Sequence, residues 1–136
     1  MTERHAVAVR GELILQAVRE LCPPRYAVEG DKTGLQVGRS NKEVNRVLCT
    51  LDLTLEVAEE ARDAGVELIV SHHAVIFRSL KNLRTDTFKG QILETLIKAD
   101  IAVYVPHTAM DVVDGGINDW LAKACGLEAT RFLKET

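Results

Sequence analysis

Three short apolar runs, each followed by a stretch of helical period, constrain this fold more than any other feature. Arg46 to Leu51 (RVLCTL), Glu67 to Ser71 (ELIVS) and Ile101 to Val105 (IAVYV) have the length and β-branched content of buried strands. Leu55 to Ala64 reads as a helix capped by Thr54 and stopped by Gly65. Thr87 to Ala99 sets Phe88, Ile92, Leu93, Leu96 and Ile97 at helical spacing, with Thr85 or Asp86 as cap, and a last helix, Ile117 to Cys125, is closed by Gly126. An earlier helix over Arg10 to Leu21 puts Leu13, Ile14, Ala17, Val18 and Leu21 on one face and ends at Pro23–Pro24. Alternation of strands and helices implies right-handed crossovers and a mainly parallel sheet. Near-continuous apolar strands imply helices on both faces. The expected class is therefore α/β, three-layered, with a mainly parallel sheet that leaves room for a mixed strand. Its 136 residues suffice for one domain, residues 1–136.

That topology says where chemistry belongs. In open parallel sheets ligands bind beyond the carboxyl ends of the strands. The three runs end in Leu51-Asp52-Leu53-Thr54, in Ser71-His72-His73 and in Pro106-His107-Thr108-Ala109-Met110-Asp111. Three of the 4 histidines thus fall on one predicted edge. Neighbours on a regular strand face opposite ways, but at a strand end the chain turns, so His72 and His73 can reach one pocket or two adjacent ions. His107 and Asp111 are four apart: in a helix this spacing stacks both side chains on one face, and in a loop the two still lie close. Imidazole nitrogen with carboxylate oxygen suits zinc, manganese, iron or cobalt better than magnesium or calcium. Asp52 is a candidate acceptor orienting an imidazole; its plainer reading is a helix-entry residue beside Thr54. Each histidine alone has a plain reading too, as a hydrogen-bonded structural residue.

Composition narrows the partners. Lys and Arg number 17 against 20 Asp and Glu, a net charge of −3, which is poor for neutralising a phosphate backbone. With 3 Phe, 2 Tyr and 1 Trp the chain is thin in base-stacking groups, so no nucleic-acid partner is expected. No apolar run approaches a membrane span, and the charges in MTERHAVAVRGE do not fit a secretory leader, so no membrane partner and a cytoplasmic location are expected. Cys22, Cys49 and Cys125 are odd in number and far apart, which speaks for small core residues in a reducing compartment rather than disulfides. Arg78, Lys81, Arg84 and Lys89 cluster after the histidine pair with only Asp86 among them; Arg78 and Lys81 are candidates to guide an anionic substrate, although a solvated face is the plainer reading. Gly34-x-x-x-Gly38 marks a turn or a strand edge, Gly115-Gly116 a flexible turn, and His5 has no assigned role.

The motifs Thr33-Gly-Leu-Gln-Val-Gly38, Leu51-Asp-Leu-Thr54, Leu68-Ile-Val-Ser-His-His73, His107-Thr-Ala-Met-Asp111 and Asp114-Gly-Gly-Ile-Asn-Asp119 occur in this order. Together they resemble the NIF-three-like dinuclear metal-binding proteins, also called GTP cyclohydrolase I type 2 homologues, over about Gly11 to Leu127. The resemblance implies that His72 and His73 each serve one ion, that Asp111 is a ligand, and that His107 lies at the site as a ligand or just behind one. It further implies up to two divalent ions, ring-shaped homo-hexamers with metal pairs facing an internal cavity, and a metal-bound hydroxide that opens the purine base of GTP. A nucleotide or phosphoester is the implied substrate. Where the family has a Trp-Asp-Asn-like stretch, this chain reads Gly30-Asp31-Lys32-Thr33, so Asp31 matches and the aromatic does not. Family members also continue further and add an H-x-x-x-E motif whose Glu bridges the ions, whereas no histidine follows His107 here. The expectation is an N-terminal part with an incomplete site that binds metal weakly. The alternatives are a non-catalytic metal-binding scaffold or interaction protein, and an α/β domain whose histidines are structural.

Overall fold

The computed structural model describes residues 7–131. It opens with a two-residue strand β1 (Val9–Arg10) and helix α1 (Gly11–Leu21), followed by a 3-10 turn at Pro24–Tyr26. Strands β2 (Gly34–Val37), β3 (Glu43–Val44) and β4 (Val47–Thr50) come next, then α2 (Leu55–Asp63), β5 (Leu68–Ser71), α3 (Phe88–Lys98), β6 (Ala102–Val105), α4 (Thr108–Val112) and α5 (Ile117–Ala124). The main sheet has four strands in the order β2-β6-β5-β4, and β1 pairs with β3 in a small separate ribbon. Strands β4, β5 and β6 are parallel, with Val47 opposite Leu68 and Leu68 opposite Ala102. Strand β2 is antiparallel to β6, with Gly34 opposite Val105 and an irregularity between Leu35 and Val37. The class expected from the sequence is the one observed.

Alternating side chains feed two cores. Ile69, Val103 and Val105 face α2 and α3 and pack with Ala58, Ala61, Ile92, Leu93 and Leu96. Leu68, Ala102 and Tyr104 face the other way, against Leu15 with Ile14 and Val18 of α1. Strand β6 lies between β2 and β5, and all four of its residues are buried. At about 1.5–3 kcal/mol for each fully buried large apolar side chain, this strand is the main anchor of the layers.

Local signals explain most element ends. Thr54 Oγ1 accepts from Val57 N–H at 3.3 Å, and Gly65 takes φ 66° after α2. Three expectations need correction. Helix α3 is capped by Thr87, whose Oγ1 accepts from Gly90 N–H at 3.1 Å, rather than by Thr85 or Asp86. A Cβ on Gly90 would lie 1.7 Å from the Arg84 carbonyl oxygen, so only glycine lets the preceding loop close onto this first turn.

The buried stripe of α1 is rotated from the expected one. Gly11 and Leu15 are buried and Ile14 and Val18 half-buried, while Leu13 and Leu21 are 57% and 74% exposed. The helix carries a wide apolar arc, and the close approach of Gly11 to the Ser40 carbonyl (2.7 Å to a built Cβ) selects which part turns inward. Lastly, only Cys22 is a core cysteine; Cys49 faces out from edge strand β4, and Cys125 follows α5, a helix with no buried residue. No helix among the described residues is long and apolar enough to cross a membrane.

Candidate metal centre

The parallel strands deliver their polar termini to one edge. Beyond β4 and β5 the ladder runs on, with His72 N–H donating to Thr50 O and His73 N–H to Leu51 O, both at 2.9 Å. Ser71 Oγ donates to the His73 carbonyl at 2.9 Å and curls the chain as it leaves the sheet. Both rings therefore end on the same side, their centroids 4.9 Å apart. His107 arrives from the end of β6, with its centroid 5.6 Å from that of His72 and 6.0 Å from that of His73. Its backbone has φ 42° and ψ −127°. An L-residue held there stores roughly 1–3 kcal/mol, which surrounding contacts must offset. His107 is thus the residue before α4, not part of it, and Asp111 approaches from within that helix. Of the two arrangements open to this spacing, a shared helix face or a loop, the second is observed: the turn at residue 107 brings both groups to the edge near His72.

Asp111 Oδ1 lies 3.6 Å from His72 Nε2. Two donors each about 2.0–2.1 Å from one ion, at tetrahedral or wider angles, are about 3.4–3.6 Å apart, so this pair has the spacing of two ligands of one ion. His72 Nδ1 is buried with no hydrogen-bond partner among the described residues. Burial holds the His72 pKa below its ordinary value, reinforced by His73 and His107 and only partly opposed by Asp111. A ring kept neutral keeps a lone pair for a cation.

The other two imidazoles are held from behind. His73 Nδ1 is 2.7 Å from Asp52 Oδ1, and His107 Nδ1 is 2.6 Å from Asp31 Oδ1. A carboxylate only accepts, so each Nδ1 is the donor, and in the neutral ring that leaves the lone pair on Nε2. Asp52 thus makes the contact expected of an orienting acceptor. Asp31 is the residue that sequence reasoning underrated. It also accepts from Lys32 N–H at 2.7 Å, from Thr108 N–H at 3.2 Å and from Thr108 Oγ1. Burial alone would push its pKa up; the hydrogen bonds from Thr108, His107 and Lys32 outweigh it and hold the value down to about 2. Asp31 reaches this edge because β2 runs antiparallel, so the chain enters β2 where the parallel strands leave. The match at Asp31 within the otherwise divergent Gly30–Thr33 stretch was the available signal.

Among the described residues no three His, Cys, Asp or Glu side chains close on a common point as a metal cage. The donor set fits a divalent transition ion, but as an open half-site: one pair at ligand spacing and two further imidazoles aimed at the same edge. Arg78 and Lys81 line a groove that begins at Phe77 and contains none of the imidazoles. The Phe77 ring stands edge-on to His107 at 6.3 Å. Gly115 N–H donates to Asp119 Oδ2 at 2.6 Å. His5 lies outside the described residues.

The profile of the Duf34/NIF3 (NGG1p interacting factor 3) family matches residues 9–136. The chain belongs to the Duf34/NIF3 family. A Bacillus subtilis relative named GTP cyclohydrolase 1 type 2 homolog is 48% identical over 131 residues, which are 96% of this chain and 35% of the relative. The relative of that name from Streptococcus pneumoniae is 45% identical, covering 90% of this chain and 46% of its own. Among solved structures, a Bacillus cereus protein related to NIF3 superposes with a TM-score of 0.91 at 46% identity, over 95% of this chain and 36% of that one. Reduced HcgD from Methanocaldococcus jannaschii gives a TM-score of 0.88 at 30% identity, over 96% of this chain and 52% of that one. The chain therefore spans about a third to a half of the length of these relatives.

Proposed function

We propose that this chain is the N-terminal, metal-binding part of a dinuclear metal-dependent hydrolase of the GTP cyclohydrolase 1 type 2 kind, with an incomplete site of its own. The observation that carries this reading is the 3.6 Å pairing of His72 Nε2 with Asp111 Oδ1 beside two imidazoles whose Nδ1 atoms are already committed to carboxylates. His72 and Asp111 would hold one ion, and His73 and His107 would contribute Nε2 donors to it or to a second. Divalent zinc, manganese, iron or cobalt, when bound, would supply Lewis acidity and lower the pKa of a coordinated water.

The chain's own residues do the positioning. Asp52 and Asp31 fix the tautomers of His73 and His107, and the buried wall of β5 and β6 shields the rear of the cluster from water. A nucleotide or phosphoester as substrate is carried over from the family resemblance. Homo-oligomeric rings and turnover of GTP itself come to this chain only through its family, and a cytoplasmic location rests on the sequence alone. A second reading, a non-catalytic metal-binding scaffold, draws on the family description as an interacting factor and on the lack of a third converging ligand among the described residues.

Metal titration of the chain separates these outcomes. The expected result is weak binding of one zinc or manganese ion, reduced at least about tenfold in His72→Ala and Asp111→Ala. Two tightly held ions per chain would refute the incomplete site, and metal content unchanged in both variants would refute the metal centre. A screen of nucleotide and phosphoester hydrolysis in a full-length relative and its equivalent His→Ala variant then divides enzyme from scaffold.

A further inference from the structure

Next to the imidazole edge the segment after His73 leaves the sheet and folds over the start of α3. Between them lies a groove of about 440 Å³, within the range of small-molecule sites. Its apolar walls are Phe77, Leu80, Leu83 and Leu93, and its charged wall carries Arg78 and Lys81. Thr87 and Gly90, the cap and first turn of the 11-residue α3, form part of its lining, so the positive end of a helix dipole meets the same space.

The cations divide into two sets. Arg84 is bound to Asp86 at 3.0 and 2.6 Å, and Lys89 donates to the Val75 carbonyl. Arg78 and Lys81 take part in none of the ion pairs among the described residues. On a chain of net charge −3, residues 77 to 89 hold four cations against one acid. Two unspent cations, a helix N-terminus and four large apolar side chains around one groove are a recognition set with two demands. It needs an anionic group of charge near −2 and an apolar body to exclude water from the leucines.

We propose that this groove is a binding site for an organic phosphate monoester with an apolar body. Arg78 and Lys81 take the phosphate, and Leu80, Leu83 and Leu93 hold the body. Phosphate fits because its charge of about −1.5 to −2 at neutral pH matches the two cations and its oxygens accept from both. The site is separate from the imidazole cluster and needs no metal. Phe77, shared between groove and edge, sets the bound molecule beside the cluster without making it part of that site.

The test is calorimetric titration of the chain with 1-naphthyl phosphate in the presence of a chelator, so that its result does not depend on the metal centre. Inorganic phosphate and 1-naphthol, each offering half of the recognition, should bind about tenfold or more weaker than 1-naphthyl phosphate. Arg78→Ala with Lys81→Ala should weaken the ester by about tenfold or more at an unchanged circular dichroism spectrum. Leu83→Ser should weaken the ester but not inorganic phosphate. His72→Ala should leave the affinity as it is. Equal binding of ester and inorganic phosphate, or indifference to the double substitution, would overturn the proposal. Loss of affinity in His72→Ala would move the ligand to the imidazole edge and overturn it as well.

Discussion

Removing the Asp31 carboxylate tests how the imidazole edge is built. The group accepts hydrogen bonds from His107 Nδ1 (2.6 Å), Lys32 N–H (2.7 Å), Thr108 N–H (3.2 Å) and Thr108 Oγ1, and its side chain is 6% exposed. In Asp31→Ala the Lys32 amide turns to water, but the donors of His107 and Thr108 stay half-buried without a partner. A stranded buried donor costs about 1–3 kcal/mol, so the loss should total about 2–4 kcal/mol. With a urea slope near 2 kcal/mol/M, the unfolding midpoint should fall by about 1–2 M. The strained backbone at His107 adds a second consequence: freed of its anchor, the ring leaves the edge, and zinc or manganese affinity should drop by about 10–100-fold. Asp31→Asn separates the two effects. Its amide oxygen can still accept from His107, so stability should fall less, while loss of the full charge should still weaken metal binding. Denaturation curves and competition against a chelating dye read the two quantities independently. If Asp31→Ala kept wild-type metal affinity while losing stability, Asp31 would be a fold residue only, and the orienting role would be refuted.

Three further outcomes follow from the structure. Gly90→Ala should destabilise by about 3 kcal/mol or more, because its Cβ would fall 1.7 Å from the Arg84 carbonyl oxygen, whereas Gly65→Ala, at φ 66° in open space, should cost only about 1 kcal/mol; equal melting-temperature shifts would contradict this. His107→Gly should be more stable than His107→Ala by about 1 kcal/mol, since only glycine relaxes at φ 42°, and both should lose metal affinity; the order of their urea midpoints decides it. The carboxyl of Glu67 is pushed up by burial but pulled below its ordinary value by hydrogen bonds from Arg46 N–H, Asn45 N–H and the Asn45 side chain. Its stabilisation is therefore complete above the usual carboxylate range and is lost as pH falls through the lower folded value. The stability gap between wild type and Glu67→Gln should narrow on acidification from about pH 6 to about pH 3, and a constant gap would show that Glu67 does not couple folding to protons.

The alternation of β4, α2, β5, α3 and β6 was legible in the sequence because its signals are local. Apolar runs, a Thr54 cap and a Gly65 stop act within one turn or one strand, and the right-handed crossover rule then places His72, His73, His107 and Asp52 on one edge without knowledge of any contact. Tertiary structure decided the rest. Which stripe of α1 is buried depends on the fit of Gly11 against Ser40, a contact between elements. The cap of α3 depends on the Arg84 carbonyl lying over Gly90. Cys49 is exposed because α1 packs on β5 and β6 and leaves that face of β4 uncovered, which no residue of β4 announces. Asp31 joins His107 from 76 residues away because β2 enters the sheet antiparallel to β6. Local pattern fixes the type of element; strand order and direction, set by packing over the whole chain, fix which distant carboxylate meets which imidazole.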